Sequence, residues 1–241
     1  LSKPDDSLWK ELKWEPSKKQ LEQFLELQGL LLHWNKRVNL TRLTQGDDYW
    51  VGQVFDSIWP FTKFLNKSIP GKKIIDVGSG CGLPGLAIAI ALPNATLTLV
   101  DAITRKSSAL EQITIELGLQ ARVSIRNERI ETTGQNIKYR GQFDFATARA
   151  VATAPTTAEY LVPLLKKDGE ALLYRGKWNQ LDQKQLSKAI TPLKAIITKS
   201  ERQILPKGKG IRTLIRLSPA EDCPPKYPRP IGIPTKKPLG N

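Results

Sequence analysis

Residues 73–85 have the sequence KIIDVGSGCGLPG, and this stretch decides the fold of the chain. Its first five residues have the apolar, partly β-branched character of a buried strand, and the segment LAIAIAL that follows is typical of a buried helix. The glycines of the turn between them permit positive φ angles and a close approach of a ligand to the backbone. The stretch therefore predicts a strand, a ligand-binding turn and a helix.

The same alternation continues through the middle of the chain. From residue 72 onward, short strand-like runs are separated by helical segments: KIIDV, LTLVD, VSIRN, FDFATA, EALLYR, IIT and RTLIRL. Such alternation is typical of an α/β fold with a largely parallel sheet and helices on both faces. We predict a Rossmann-like core with a mostly parallel seven-stranded sheet over residues 71–218.

Segments of different character flank this core. Ser17 and Gln20 form a capping box in front of an amphipathic helical pattern, and a second helical pattern covers residues 47–64. We therefore predict an N-terminal helical layer over residues 1–70. The last residues, 219–241, are basic and rich in proline, which predicts an extended arm without regular structure.

Composition favours a polyanionic partner. The chain has 37 Lys and Arg against 23 Asp and Glu, a net charge of +14, which nucleic acid would complement. Two cysteines, Cys81 and Cys223, provide neither a disulfide framework nor a set with metal-ligand spacing, so we expect a reducing cytoplasm and no metal. No apolar run reaches the roughly 18 residues of a membrane span. We therefore expect a cytoplasmic protein without a membrane partner.

The glycine turn is compatible with two cofactors. Gly80-x-Gly82-x-x-Gly85 matches the dinucleotide fingerprint, and Asp101 ends the next strand where it could accept both ribose hydroxyls of NAD. Against NAD, Asp76 directly precedes the turn, where its carboxylate would repel a pyrophosphate. S-adenosylmethionine has no phosphate and carries positive charge, and its ribose could use Asp101 equally. A turn without any ligand is the remaining alternative, which the density of glycines disfavours.

Several motifs resemble one family. The segment DVGSGCGLPG resembles motif I of the class I S-adenosylmethionine-dependent methyltransferases, and its LPG ending is similar to that of the GidB (RsmG) family of bacterial small-subunit rRNA guanine-N7 methyltransferases. Six further segments resemble family elements in the same order: WNKRVNLT (34–41), DSI (56–58), RIE (129–131), RA (149–150), YRG (174–176) and YPRPIG (227–232). One residue departs from the pattern, because Gln53 occupies a position where the family often has histidine.

The resemblance implies an enzyme and its donor site. It implies a class I methyltransferase that uses S-adenosylmethionine to methylate a guanine N7 of 16S rRNA, with naked rRNA or the small ribosomal subunit as partner. The residues that it places at the cofactor are Gly78, Leu83, Asp101, Ala102, Ile103, Ile130, Glu131 and Arg149. All end or follow predicted strands, where α/β sheets bind ligands. Asp101 could instead cap a helix, and Glu131 could instead form a surface ion pair.

Arg149 is the predicted catalytic residue. In the apolar stretch FDFATARAVATA it is the only charge after Asp144, and a lone arginine in such a run needs a partner. It either pairs with a carboxylate or faces the cleft and holds the target base or the cofactor, and the family resemblance favours the cleft. Arg175 and Lys177 are predicted to contact RNA phosphates or to form a solvated turn.

The chemistry of the implied acceptor explains why the sequence needs neither a general base nor a nucleophile at the site. Guanine N7 has an in-plane lone pair and no proton, so methyl transfer needs alignment and no general base. Cys81 is accordingly expected to be a packing residue, and His33 an ordinary helix residue. Two other functions stay open: an rRNA-binding assembly factor with a vestigial pocket, or an NAD-dependent oxidoreductase. We expect the N-terminal layer and the basic tail to supply much of the RNA surface.

Overall fold

The computed structural model describes residue 1 and residues 3–67 and 70–240. Its strands are β1 (Lys73–Val77), β2 (Thr96–Val100), β3 (Val123–Arg126), β4 (Phe143–Arg149), β5 (Leu165–Arg175), β6 (Ala195–Ile204) and β7 (Ile211–Pro219). Its α-helices are α1 (Ser7–Glu11), α2 (Lys18–Asn35), α3 (Gly46–Tyr49), α4 (Asp56–Ile58), α5 (Thr62–Leu65), α6 (Gly85–Ala91), α7 (Thr104–Glu116), α8 (Ile130–Gln135), α9 (Ala154–Leu161), α10 (Gln180–Ile190) and α11 (Ile233–Lys236).

The strands form one seven-stranded sheet in the order β3-β2-β1-β4-β5-β7-β6. All neighbouring strands are parallel except β7, which runs antiparallel to both β5 and β6. The predicted mostly parallel seven-stranded α/β sheet is therefore confirmed. The chain winds outward in both directions from β1 and β4, so a crevice forms at the carboxyl ends of these strands, where such sheets bind ligands.

Helices cover both faces of the sheet. Side chains alternate along a strand, so Ile74 packs in an apolar cluster with the N-terminal layer, while its neighbour Ile75 packs in a second cluster on the opposite face. Both residues are fully buried. Burial on both sides explains why the central strands are apolar runs without polar alternation.

The N-terminal layer is helical, as its pattern predicts. Ser17 accepts a hydrogen bond from the backbone of Gln20, and the Gln20 side chain accepts one from the backbone of Ser17, so the capping box is confirmed. From Gly46 to Leu65 the backbone stays helical but changes pitch, with a π-helical turn over Trp50–Phe55 and a 3₁₀ turn over Trp59–Phe61. Among the described residues, no helix combines the length and apolar character that a bilayer crossing requires.

The C-terminal segment has little regular structure, as expected, but it is not an extended arm, and that part of the expectation was wrong. The segment forms α11, and Tyr227 and Pro228 are buried against the core. A proline can be an apolar packing group as well as a helix breaker, and the chain makes room for Pro228. A Cβ atom at Gly134 of α8 would lie only 2.6 Å from the Pro228 Cγ atom.

Asp76 at the end of β1 joins three elements beneath the glycine turn. Its Oδ1 atom accepts a hydrogen bond from the Thr147 hydroxyl of β4 at 2.9 Å, and its Oδ2 atom accepts one from the Gly85 backbone N–H at 3.1 Å. The side chain is 1% exposed. Burial raises the pKa of Asp76 to about 6, although these hydrogen bonds and the charge of Arg149 lower it.

Asp76 should make the stability of the fold depend on pH. Its pKa is raised to about 6 in the folded state from 3.8, so its contribution is fully present below about pH 4 and is lost as the pH rises through 6. Asp76→Asn stays neutral, so relative to wild type it should gain about 2–3 kcal/mol of unfolding free energy between pH 4 and pH 7. Urea unfolding at both pH values measures this difference, and a difference that does not change with pH would contradict it.

Candidate active site

Two adjoining cavities open at the carboxyl edge of the sheet. The inner cavity, of about 540 Å³, lies between the ends of β1 to β3 and the C-terminal segment, and the outer cleft, of about 960 Å³, faces the N-terminal layer. The two cavities share the lining residues Gly78, Asp101, Ile103, Val151 and Ala152. A third cavity, of about 910 Å³, lies between the N-terminal layer and β6 and contains none of the predicted site residues.

The glycine turn separates the two cavities. Gly78 has a φ of +67° and lines both, and a Cβ atom there would lie 2.7 Å from Val151 Cγ2. Only glycine meets both requirements, a left-handed backbone and this close approach. Leu83, the other predicted residue of the turn, lines the outer cleft alone.

Asp101 follows β2 and faces both cavities. Its Oδ2 atom accepts a hydrogen bond from the Gly80 N–H and its Oδ1 atom accepts one from the Ile103 N–H, both at 2.8 Å. Each carboxylate oxygen keeps a further lone pair for a ligand. Asp101 therefore fixes the glycine turn to the start of α7 and can also serve as a ribose acceptor. Ala102 and Ile103, which the resemblance places at the cofactor, line the inner cavity beside it.

Ile130 and Glu131 at the start of α8 occupy different places. Ile130 lines the inner cavity, whereas the Glu131 side chain is outside its lining. The Glu131 Oε1 atom accepts hydrogen bonds from the Gly232 N–H at 2.9 Å and the Tyr160 hydroxyl at 3.2 Å. The ion pair considered from the sequence is present, with Arg129 Nε 3.5 Å from the Glu131 Oε2 atom, but the carboxylate is not at the surface, because Glu131 is only 2% exposed. The Glu131 carboxylate holds the C-terminal segment.

Arg149 at the end of β4 both pairs with a carboxylate and lines the outer cleft, so the two readings of its sequence context are not exclusive. Its Nη1 atom lies 3.1 Å from the Asp56 Oδ2 atom and donates to the Gly52 carbonyl at 3.3 Å. Its Nη2 atom donates to the Gln53 side chain. Asp56 is fully buried and also binds Arg212 Nε at 2.9 Å. The Arg149 side chain keeps 14% of its surface exposed.

The structure gives Gln53 a role that the amino-acid sequence did not reveal. Its Nε2 atom donates to the Thr41 hydroxyl at 2.9 Å, while its carbonyl oxygen accepts from Arg149. Thr41 is itself held by Asn35, whose Oδ1 atom accepts from the backbone N–H groups of Leu40 and Thr41. The WN…NLT motif thus folds the loop after α2 so that Gln53 can orient Arg149. Only that motif, read as a loop-forming element, could have indicated the contact.

Strain and positive charge mark the mouth of the outer cleft. Ala150 has a φ of +56°, a left-handed conformation that costs a non-glycine residue on the order of 1–3 kcal/mol and recurs at functional sites. Arg175 also lines the cleft, with its guanidinium donating to the Ala152 carbonyl at 2.8 Å. Lys106 and Lys177 line the mouth as well, and neither has a carboxylate partner among the described residues.

Neither Cys81 nor His33 has the setting of a nucleophile or base. Cys81 is 9% exposed within an apolar cluster, and burial raises the pKa of its thiol, which disfavours the nucleophilic thiolate. His33 is exposed on α2 with its ring edge-on to Trp34, outside both cavities. Across the described residues, no group of three or more His, Cys, Asp or Glu side chains is arranged to hold a metal ion.

Comparison with known proteins identifies the family. The model of the GidB family, described as rRNA small subunit methyltransferase G, matches residues 19–206. The chain belongs to this family. It is 54% identical over 241 residues to the ribosomal RNA small subunit methyltransferase G of Prochlorococcus marinus strain MIT 9303, covering the whole of this chain and 98% of that protein. It is 53% identical over 234 residues to the Synechococcus sp. CC9311 protein of the same name, covering 97% and 92%.

Solved structures of low identity show the same fold. The branched-chain polyamine synthase of Thermus thermophilus has a TM-score of 0.58 at 14% identity, over 82% of this chain and 64% of that one. The ribosomal protein L11 methylase of Lactobacillus delbrueckii has a TM-score of 0.51 at 16% identity, over 70% and 79%. These likenesses support the class I methyltransferase architecture.

As a member of this family, the chain is a methyltransferase, and its methyl donor is S-adenosylmethionine. The site fits that donor in two respects: the inner cavity falls within the range of small-molecule sites, roughly 300–1,000 Å³, and Asp101 presents a carboxylate to it. The family excludes the NAD-dependent oxidoreductase. The argument from Asp76 was nevertheless wrong, because this buried carboxylate lines neither cavity.

Asp101→Ala should weaken binding of S-adenosylhomocysteine by about 1.5–3 kcal/mol, the scale of hydrogen bonds to a charged acceptor. Isothermal titration measures the loss. Asp101 also holds the glycine turn, so the same titration with the 2′,3′-dideoxy analogue separates the two effects. If Asp101 binds the ribose hydroxyls, the variant should lose much less affinity for the analogue. An equal loss for both ligands would assign Asp101 to the turn alone.

Proposed function

We propose that this methyltransferase transfers a methyl group to the N7 atom of a guanine in 16S rRNA, in the cytoplasm. The donor would lie in the inner cavity, with Gly78, Asp101, Ala102, Ile103 and Ile130 around it and Leu83 on the side of the outer cleft, and the target base would enter the outer cleft beside Arg149. When bound, S-adenosylmethionine supplies a methyl group on a positively charged sulfur. Family membership supports rRNA as the substrate class, and the side chains of the outer cleft support the acceptor atom.

The observation that carries the choice of acceptor is the character of the outer cleft. It contains arginines, lysines and two carboxylates, and the only histidine of the chain lies elsewhere. Of the carboxylates, Asp56 is buried and bound to two guanidinium groups, and Asp101 is assigned to the ribose of the donor. The cysteine of the cleft has a thiol whose pKa is raised. An unprotonated N7 atom needs no proton acceptor, whereas methylation of a protonated ring nitrogen or an amino group does.

Arg149 would position the base. Its guanidinium is held by Gly52, Gln53 and Asp56, so its remaining surface faces the cleft in a fixed orientation. A guanidinium of this kind suits the acceptor atoms of guanine or a phosphate near it. Because the reaction needs alignment more than proton transfer, a fixed cation beside the base is the main contribution expected of the protein.

Binding of the RNA would depend on exposed cations around this cleft. Lys106 and Lys177 line its mouth, and Arg42 is exposed directly after Thr41. With a net charge of +14 the affinity for rRNA should fall steeply with salt, while donor binding should not. Arg229 in the C-terminal segment is unsuited to this purpose, since it is paired with the fully buried Glu159.

The direct experiment is methylation of small-subunit rRNA by the purified protein with radiolabelled S-adenosylmethionine. Naked 16S rRNA and intact small subunits are compared, and the labelled nucleoside is identified by mass spectrometry. We expect 7-methylguanosine at one position. A label on a pyrimidine, or on another atom of guanine, would overturn the assigned acceptor while leaving the enzyme class intact.

Arg149→Ala should lower single-turnover methylation by about a hundredfold, the scale of lost alignment, and change S-adenosylhomocysteine affinity far less. Arg149→Lys should rescue poorly, because an ammonium cannot reproduce the planar, forked contacts. Arg202→Ala is the matched control, since it removes the same charge from an exposed position on β6. Full activity in Arg149→Ala would restrict Arg149 to a structural ion pair.

Methylation by the wild-type protein should not depend on pH between about 7 and 8.5, because the proposed acceptor has no proton to lose and Asp76, with a pKa of about 6, is ionised throughout. Single-turnover rates across this range measure the profile. A sharp ionisation within it would indicate a general base and therefore a different acceptor atom.

A further inference from the structure

We propose that the C-terminal segment, residues 223–237, forms the adenine end of the donor site, with Thr235 and Tyr160 as donor-contacting residues. The inference rests on S-adenosylmethionine as the donor and is independent of the proposed acceptor. Sequence composition had indicated an arm for RNA. The residues that the family resemblance places at the cofactor include none from this segment. Its contacts with α8 and α9 carry the argument.

Two buried carboxylates anchor the segment. The Glu159 carboxylate of α9 is fully buried and accepts hydrogen bonds from Arg229, at 2.9 Å from Nε and 2.7 Å from Nη2. It also accepts one from the Arg229 backbone N–H at 2.8 Å. The Glu131 carboxylate of α8 accepts one from the Gly232 N–H. An unpaired buried carboxylate is costly, so the folded chain strongly favours the segment in this position.

Arg140 fixes the beginning of the segment to the same face. Its Nη2 atom donates to the carbonyl of Cys223 at 2.7 Å and to that of Pro224 at 3.0 Å, and its Nη1 atom donates to the Tyr227 carbonyl. Gln135 donates to the Pro228 carbonyl at 2.6 Å. Every one of these bonds satisfies a backbone group of the segment, which is how an irregular chain can be held against a core.

Thr235 reaches the inner cavity from this anchored position. It lines the cavity, and its hydroxyl lies 3.1 Å from the Tyr160 hydroxyl, which also lines it. Tyr160 in turn donates to Glu131, so one hydrogen-bonded set joins the cavity wall to the anchor of the segment. Thr156, another lining residue, donates to the Pro234 carbonyl at 3.0 Å.

The chemistry of the inner cavity assigns this wall to the purine ring. Val77, Val100, Ala102 and Ile130 provide the apolar surfaces that a flat aromatic ring requires, and Asp101, the ribose acceptor, lies toward the outer cleft. The Thr235 and Tyr160 hydroxyls are polar groups beside these apolar surfaces, and a hydroxyl can donate to or accept from the ring nitrogens and amino group of adenine.

The test compares variants within the full chain by titration with S-adenosylhomocysteine and with 5′-methylthioadenosine, which lacks the amino-acid end. Thr235→Val and Tyr160→Phe each remove one hydroxyl and keep the Arg229–Glu159 pair and the bond from Gly232 to Glu131, whereas Arg229→Ala removes the pair with Glu159. We expect losses of about threefold to tenfold for the first two and about tenfold or more for the third, with both ligands. Lys236→Ala, which removes one exposed charge from the same segment, should bind both ligands like wild type.

Hydrogen exchange adds a readout that does not depend on affinity. Exchange of the backbone amides of residues 229–237 should slow when S-adenosylhomocysteine is added to the wild-type protein. If Thr235→Val and Tyr160→Phe both bind like wild type, the inference is overturned. This holds even if Arg229→Ala binds weakly, because that variant can lose affinity through a less stable fold. Equal losses for Arg229→Ala and Lys236→Ala would also overturn it. Failure of the wild type to bind S-adenosylhomocysteine would instead remove the donor assignment itself.

Discussion

The ion pair between Arg149 and Asp56 joins the two parts of the molecule on which the site depends. Arg149 ends β4 in the core, and Asp56 belongs to the helical course of the N-terminal layer, where it is fully buried. A buried carboxylate and a partly buried guanidinium are stable only with good geometry and further hydrogen bonds, which Gly52, Gln53 and Arg212 supply. The position of the layer against the sheet and the position of the cleft cation are therefore set by the same contacts.

The core and its flanks have separate roles. The core has a general fold, because solved structures of only 14–16% identity share it. The N-terminal layer adds the wall of the outer cleft through Gln53 and Asp56, and the C-terminal segment adds part of the wall of the inner cavity through Thr235. Both additions are attached through buried carboxylates that meet arginine or backbone N–H groups of another segment.

Local patterns in the sequence predicted local structure well. The strand β1, the capping box at Ser17 and the glycine turn depend on neighbours within a few residues, and periodicity and turn chemistry express them directly. β5 and β6 extend beyond their predicted runs, because β5 begins at Leu165 and β6 continues to Ile204 through polar residues. Their extra residues are held by pairing with neighbouring strands, and the composition of a single strand does not predict such pairing.

Contacts between distant segments could not be predicted in this way. Arg229 and Glu159 are seventy positions apart, and each looks like an ordinary surface residue in its own stretch. Proline-rich composition indicated irregular backbone correctly for most of the C-terminal segment, but it carries no information on burial, which here depends on the space left by Gly134. Glu131 was placed at the cofactor through the family resemblance of the RIE segment, but of this pair only Ile130 lines the inner cavity.

The π-helical turn at Trp50–Phe55 bears on how this protein can change length during evolution. A π turn holds one residue more than an α-helix of the same span, so deletion of one residue there would restore a regular α-helix and leave the flanking residues in register. Asp56, which follows the turn, would then keep its place opposite Arg149, whereas Gln53, which lies inside the turn, would change the direction of its side chain. A relative that lacks one residue here is therefore expected to keep the ion pair and to lose the contact between position 53 and the arginine.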